Sequence, residues 1–352
     1  MENLDRANSF LNRYRRWNRK LSLWAIVCLL AIGMSSLAAQ AALEDESART
    51  TPPPWLALFG VAIEPTNGTM FTVGGKGLLM TSNDHGKTWK EVPLRLREGG
   101  PLFQDYDLYS IRFSPSGKLG LIVGENGTIV RSTDNGATWT TMPRVTTKNL
   151  LKVDIADDQN AVVVGVDGTI LRSADGGTTW QPVKSPKSIT LFDVAFLDKN
   201  TGWISGEFAT VLGTTDGGQT WNLLSGGNTA DFTIGPYFTV NFTDPQHGLV
   251  AGLAGDVEFT EDGGKTWKPS KLPDQSGTFA VAIDPTTKKI WAIGAGGRTF
   301  VRSPDGKWTE APRTTFNDLT DIALAGNRAV MVGLSGTILL SDDAGEKWQA
   351  VQ

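Results

Sequence analysis

Seven aspartates in this 352-residue chain recur at a spacing that could do chemistry: Asp84, Asp134, Asp175, Asp216, Asp262, Asp305 and Asp343. Segments 82–89, 132–139, 173–180, 214–221 and 260–267 each read Ser/Thr-x-Asp-x-Gly-x-Thr-Trp. Segment 341–348 keeps the pattern with Lys347 in place of Thr, and 303–308 is a shortened copy. Repeated carboxylates suggest either hydrolytic acids or calcium loops. A calcium loop needs several further oxygen ligands and a distal Glu, which these copies lack. The residue types fit a turn instead. The Asp accepts hydrogen bonds from otherwise unpaired backbone N–H groups, the Gly takes a positive φ, and the Trp buries its ring against a neighbouring layer. These seven aspartates are therefore read as structural.

The elements that position them follow from the spacing. Successive aspartates lie 50, 41, 41, 46, 43 and 38 residues apart, near the length of one four-stranded propeller blade. In the second repeat, 108–113 alternates like an inner strand, 119–124 is a small apolar strand, 128–132 a third and 138–142 an outer one. Short runs of apolar or β-branched residues bounded by Gly, Asn, Asp and Pro are strand signals. The same order recurs over 55–93, 107–143, 149–184, 190–224, 237–270, 278–310 and 318–352. The fold class is thus all-β: a seven-bladed β-propeller with Asp-box repeats over 55–352. A Gly-x-x-Gly turn such as 124–127 or 165–168 precedes the third strands. No helix pattern follows these turns, so they lack what makes a glycine loop hold phosphate.

Before the ring, a basic stretch (13–20) leads into an apolar run (21–34), and Ala39-Gln40-Ala41 fits a small-x-small cleavage site. Residues 1–41 read first as a signal peptide; an uncleaved signal anchor is the alternative, since counting to Ala42 gives enough apolar length to span a bilayer. Residues 42–54 are a polar, Pro-rich linker. Either way the body is expected outside the cytoplasm, in a periplasm or a thylakoid lumen, soluble after cleavage or anchored in the inner membrane. Cys28, the single cysteine, lies in the apolar run, so the ring has no thiol chemistry. Net charge is −4; without residues 1–41 it is 27 basic against 35 acidic, or −8. That balance gives no support to nucleic-acid binding. The ring's two histidines, His85 and His247, both fall in turns without ligand spacing, and neither metal nor cofactor is expected.

Two connections exceed the minimum, 93–106 and 225–236. Long loops on a rigid ring are where recognition concentrates. The first carries Arg95, Arg97 and Tyr106; the second ends just before Tyr237. These are candidate partner contacts, and solvated charge with aromatics folded under their own loop is the competing reading.

The units Ile-x-Arg-Ser-x-Asp-x-Gly-x-Thr-Trp at 129–139 and 170–180, each preceded by a Val-Gly-x-x-Gly turn, resemble the photosystem II stability/assembly factor family, a family of Asp-box (BNR-repeat) propellers. The resemblance covers 55–352. It implies an exported, non-enzymatic protein that binds a membrane-protein subunit or complex under assembly. It also directs attention to arginines before the box, here Arg131, Arg172 and Arg302, with Thr81, Gly213, Phe259 and Leu340 in the other repeats. An interblade clamp is the alternative role for these arginines. An extracytoplasmic glycan-binding module or sialidase-like glycoside hydrolase is the rival function. Sialidase chemistry calls for an arginine cluster and a Tyr nucleophile paired with Glu; outside the leader the chain offers only Tyr106, Tyr109 and Tyr237.

Overall fold

The computed structural model describes residues 51–94, 106–231 and 234–351. Seven antiparallel sheets follow one another along the chain, each of four strands consecutive in sequence. The inner strands are Leu58–Ile63, Leu108–Phe113, Leu150–Ile155, Leu191–Phe196, Tyr237–Phe242, Thr278–Ile283 and Leu319–Ala325. Second strands such as Met70–Gly74 and Ala161–Gly165 are buried at every residue, because they are covered on both faces by the neighbouring blades. Outer strands are short and exposed, as in Thr140–Thr141 and Gln181–Pro182, which blunts an otherwise open edge.

Each blade joint has its own core. Trp180 and Val163 of blade 3 pack with Leu121 and Ile129 of blade 2. Phe71 of blade 1 packs with Ile111 of blade 2, and Trp89 of blade 1 with Val330 and Ile338 of blade 7. The remaining four joints repeat this plan. Burial of this kind is worth about 25 cal/mol per Å² of apolar surface, and it accrues between neighbours rather than in one centre.

The turns divide between two faces. Gly-x-x-Gly turns and the connections from each outer strand to the next inner strand form one, here the loop face. On it Gly127 has φ +70°, and a Cβ there would lie 1.8 Å from the Thr146 carbonyl oxygen of the adjacent connection, so only glycine closes the turn. Asp-box turns form the opposite face.

All seven inner strands carry a register irregularity at their second residue, as between Leu58 and Gly60 or between Leu191 and Asp193. A bulge of this type bends the strand and re-aims side chains. It sets the lining of the central channel.

Candidate functional site

The box aspartates turn inward upon their own loops. Asp134 accepts hydrogen bonds from the Ser132 hydroxyl (2.8 Å), the Thr138 N–H (2.9 Å) and the Thr138 hydroxyl (2.6 Å). Ser132 Oγ accepts from Gly136 N–H (3.0 Å), and the Trp139 indole donates to the Gly136 carbonyl (3.0 Å). Asp84, Asp175, Asp216 and Asp262 accept the same three bonds. Asp343 loses the threonine hydroxyl because Lys347 replaces Thr, and keeps the Ser341 hydroxyl (2.7 Å) and the Lys347 N–H (2.9 Å). The threonine hydroxyl and then its N–H hold Asp84 and Asp175 down to about 2. A carboxylate so occupied is a poor proton donor near neutrality.

Blade 6 departs from the pattern in a way its sequence conceals. Aligning its Ser303-x-Asp305 with the other boxes puts Arg302 in the row of Arg131 and Arg172. Strand pairing says otherwise: Leu121 is opposite Arg131, whereas the equivalent Trp291 is opposite Val301. Arg302 therefore occupies the leading Ser position, and Val301 is the true counterpart of Arg131. The box of blade 6 has slipped by one residue. Its Asp305 accepts from Ser303 Oγ, and its Trp308 indole reaches Ser270 Oγ of blade 5, as Trp267 in the regular box of blade 5 reaches Ser225 Oγ of blade 4.

That corrects the arginine row to two members, and both act between blades. Arg131 Nε donates to the Gly176 carbonyl in the box of blade 3. Arg172 Nε donates to the Gly217 carbonyl in the box of blade 4 (2.7 Å), and its Nη2 to Asn160 Oδ1 (3.2 Å). Arg302 lies over the Phe259 ring, 4.3 Å from its centroid, with its Nε buried and unbonded. Arg131 and Arg172 lie at the Asp-box end of their strands, away from the loop face.

On the loop face, Tyr106 packs beside the blade 1–2 core with Arg144 above its ring (4.8 Å). Arg95 and Arg97 fall outside the described residues. Tyr237 is a correction to the contact expectation: it is 7% exposed and belongs to the core between blades 4 and 5. As the first residue of an inner strand it takes the place of Leu58, Leu108 and Leu191, which face the sheet interior. Burial, and then the Glu258 carboxylate it bonds, push its phenol well above the ordinary range. That disfavours the phenolate a glycosidase nucleophile would need.

Two features went unread in the sequence. The first is a collar of rings at the second position of the inner strands: Phe59, Tyr109, Phe192, Phe238 and Phe279, all half-buried. Adjacent members meet edge-on, Phe59 with Tyr109 at 5.5 Å, Phe192 with Phe238 at 5.1 Å and Phe238 with Phe279 at 5.9 Å. The aligned Phe at the second place of four inner strands was the available signal.

The second lies deeper in the channel, in a cavity of about 180 Å³ lined by Arg112, Lys152, Asp154, Asp193 and Asp321 among others. Inner strands are sheet edges with unpaired N–H groups, and these acids cap them across the joints. Asp321 of blade 7 accepts from Val61 N–H of blade 1 (3.1 Å). Asp154 accepts from Phe196 N–H (2.6 Å) and Asp193 from Val240 N–H (3.0 Å). Arg112 and Lys152 both approach Asp321 (3.2 and 3.5 Å). Burial raises Asp154 and Asp193 even so; at Asp321 burial is also the largest influence, but the charges of Lys152 and Arg112 together with the hydrogen bonds from Val61 N–H and Arg112 bring it below its ordinary value. Single charged residues inside an alternating strand gave the signal here, legible only once each strand was known to be innermost.

His85 Nε2 lies 3.0 Å from Arg328 Nη2, and His247 bonds Asp244. Among the described residues no group of three or more His, Cys, Asp or Glu is placed to hold a metal ion.

Comparison with known proteins agrees with this architecture. The family model of the photosynthesis system II assembly factor YCF48 matches residues 53–145, 178–235 and 231–352. No curated protein matches the sequence. Among solved structures, YCF48 bound to D1 peptide is similar at TM-score 0.66 and 19% identity, over 83% of this chain and 95% of that one. YCF48 from Cyanidioschyzon merolae gives TM-score 0.66 and 19% identity over 83% of this chain and 98% of that one. A GH74 xyloglucanase from Xanthomonas campestris gives TM-score 0.67 at 15% identity over 85% of this chain and 54% of that one. At these identities the likeness of structure speaks for the fold alone. With the family model matching most of the ring, this chain belongs to the family of the photosynthesis system II assembly factor YCF48.

Proposed function

We propose that the chain is an exported, non-enzymatic propeller that binds a protein client, a membrane-protein subunit or complex under assembly, at the channel mouth on its loop face. The observation that carries this is the aromatic collar. Five half-buried rings on rigid inner strands offer apolar contact area of the kind that dominates binding interfaces. Tyr106 and Arg144 stand on the same face, beside the joint of blades 1 and 2. The YCF48 structure bound to D1 peptide supports a peptide as the kind of ligand. Family membership supports the assembly role. The non-enzymatic reading is supported by the occupation of the carboxylates: those gathered in the channel cap backbone N–H groups, and those in the boxes hold their own turns.

The test is affinity capture from gently solubilised membranes, comparing the native protein with a Phe192→Ala/Phe238→Ala variant whose melting is still cooperative. One integral-membrane protein should co-elute with the native chain and be lost, by tenfold or more, with the variant. Equal recovery with both proteins would remove the collar from the binding site. Turnover of a fluorogenic sialoside or of a polysaccharide panel would overturn the non-enzymatic reading.

A further inference from the structure

We propose that the central channel is barred one residue layer beneath its loop-face mouth. A client seated at that mouth, as the proposed function has it, enters by a side chain or a chain end and is not threaded through the ring; this limit of depth rests on that reading of the seat. Inner strands start at the loop face, so their second, third and fifth residues lie at increasing depth. The collar rings hold the second place. Lys152 and Asp321 stand at the third and Arg112 at the fifth. Lys152 Nζ of blade 3 lies 3.5 Å from Asp321 Oδ1 of blade 7. Blades 3 and 7 are three steps apart, the widest separation in a ring of seven, so this ion pair spans the channel from wall to wall. Arg112 of blade 2 runs beside it. Its Nη1 donates to the Ile111 carbonyl (2.9 Å), to the Val61 carbonyl of blade 1 (3.3 Å) and to Asp321 Oδ2 (3.2 Å).

The bar is held from several sides. Asp321 is 2% exposed and also accepts from the Val61 N–H (3.1 Å), so blades 1, 2, 3 and 7 meet at one carboxylate. A chain pushed through this layer has to part Asp321 from both cations, and a buried charge left without its partner is strongly unfavourable. The other half of the layer is occupied as well. Thr239 Oγ1 donates to Asp193 Oδ2 there (3.0 Å), and the same oxygen caps the Val240 N–H (3.0 Å). What remains open is the cavity of about 180 Å³. Its lining runs from the third-place residues Asp193, Thr239 and Ala280 to Leu197, past the end of strand Leu191–Phe196. It therefore extends from the bar toward the Asp-box side, and it falls short of the about 300 Å³ at which ligand pockets begin. Rings above and an ion-paired layer below make the mouth a shallow blind cup. The partner that fits it is a protein offering a chain end or the tip of a turn.

The experiment uses the full chain with photo-reactive p-benzoylphenylalanine in place of Phe192, Asn241 or Leu197, one position at a time. Phe192 is above the bar; Asn241 and Leu197, both in the cavity lining, are below it. Two lower positions guard against one that disturbs folding, and each labelled chain is required to melt cooperatively. The chains are mixed with gently solubilised membranes and irradiated, and loss of benzophenone absorbance confirms that each label reacts. Adduct with the captured membrane protein is then measured. The label at 192 should give severalfold more adduct than the label at either lower position. Comparable adduct above and below would mean that a segment of the client passes the bar, which overturns the inference while leaving a client at the mouth. Absence of adduct at all three positions, or of any captured protein, would remove the seat itself and the depth limit with it.

Discussion

At the scale of single residues, the box aspartate is a fastener whose worth depends on its donors. Asp134 satisfies a backbone N–H and two hydroxyls at once; the Thr138 groups are solvent-exposed, where a hydrogen bond is worth about 0.5–1.5 kcal/mol net. Asp134→Ala should therefore lower stability to urea by about that amount. Asp305→Ala should cost less than half as much, because in the slipped box of blade 6 the Thr donor is absent and Ser303 can still bond the Lys307 carbonyl (3.1 Å). Equal losses would mean that the slipped box is as strong as the regular one. The seven aspartates, their turn role and the positive φ of the box glycines were all legible in sequence, because the turn's chemistry is local. Tyr237 was not legible. Its placement depends on which strand is innermost and where the bulge falls, and both are set by partners distant in sequence.

Elements in this ring communicate through side chains that cross the joints. Arg172 reaches the box of blade 4, and a hydrogen bond from a charged donor is worth about 1.5–3 kcal/mol. Arg172→Ala should thus destabilise by roughly that amount. Arg302→Met should fall within about 0.5 kcal/mol of native, since Arg302 has a buried Nε without an acceptor and Met can keep the packing on Phe259. Denaturant melts of the two variants check the contrast, and comparable losses would contradict the reassigned register. Strand number and order were readable from the repeats, since every blade replays the same punctuation. The one-residue slip was hidden because a motif aligns residue types, whereas register is fixed by pairing Trp291 with Val301.

For the whole molecule, acid should reveal two opposed populations of carboxylate. The box acids have lowered folded values, about 2 for Asp84 and Asp175, so their contribution is complete above the unfolded carboxylate value near 4 and is lost as pH falls toward 2. Asp154 and Asp193 are raised by burial, so the cost of their charge is relieved as pH falls toward 4. Melting temperature should rise modestly from neutrality down to about pH 4 and then drop steeply to pH 2. A steady decline from pH 7 would refute the channel part, and a flat profile below pH 4 the box part.

The ring closes without exchanging a strand. Blades 1 and 7 each own all four of their strands. Their joint is held by Asp321 on Val61 N–H, Thr320 on the Leu58 carbonyl and a shared apolar core, with the same Asp-to-N–H bond that joins blades 3 and 4 and blades 4 and 5. Nothing in the geometry therefore marks this joint as the place where the polypeptide has to start. A gene for such a ring can be cut and rejoined at any blade boundary, and copied one blade at a time, with each intermediate still presenting matched surfaces to its neighbours.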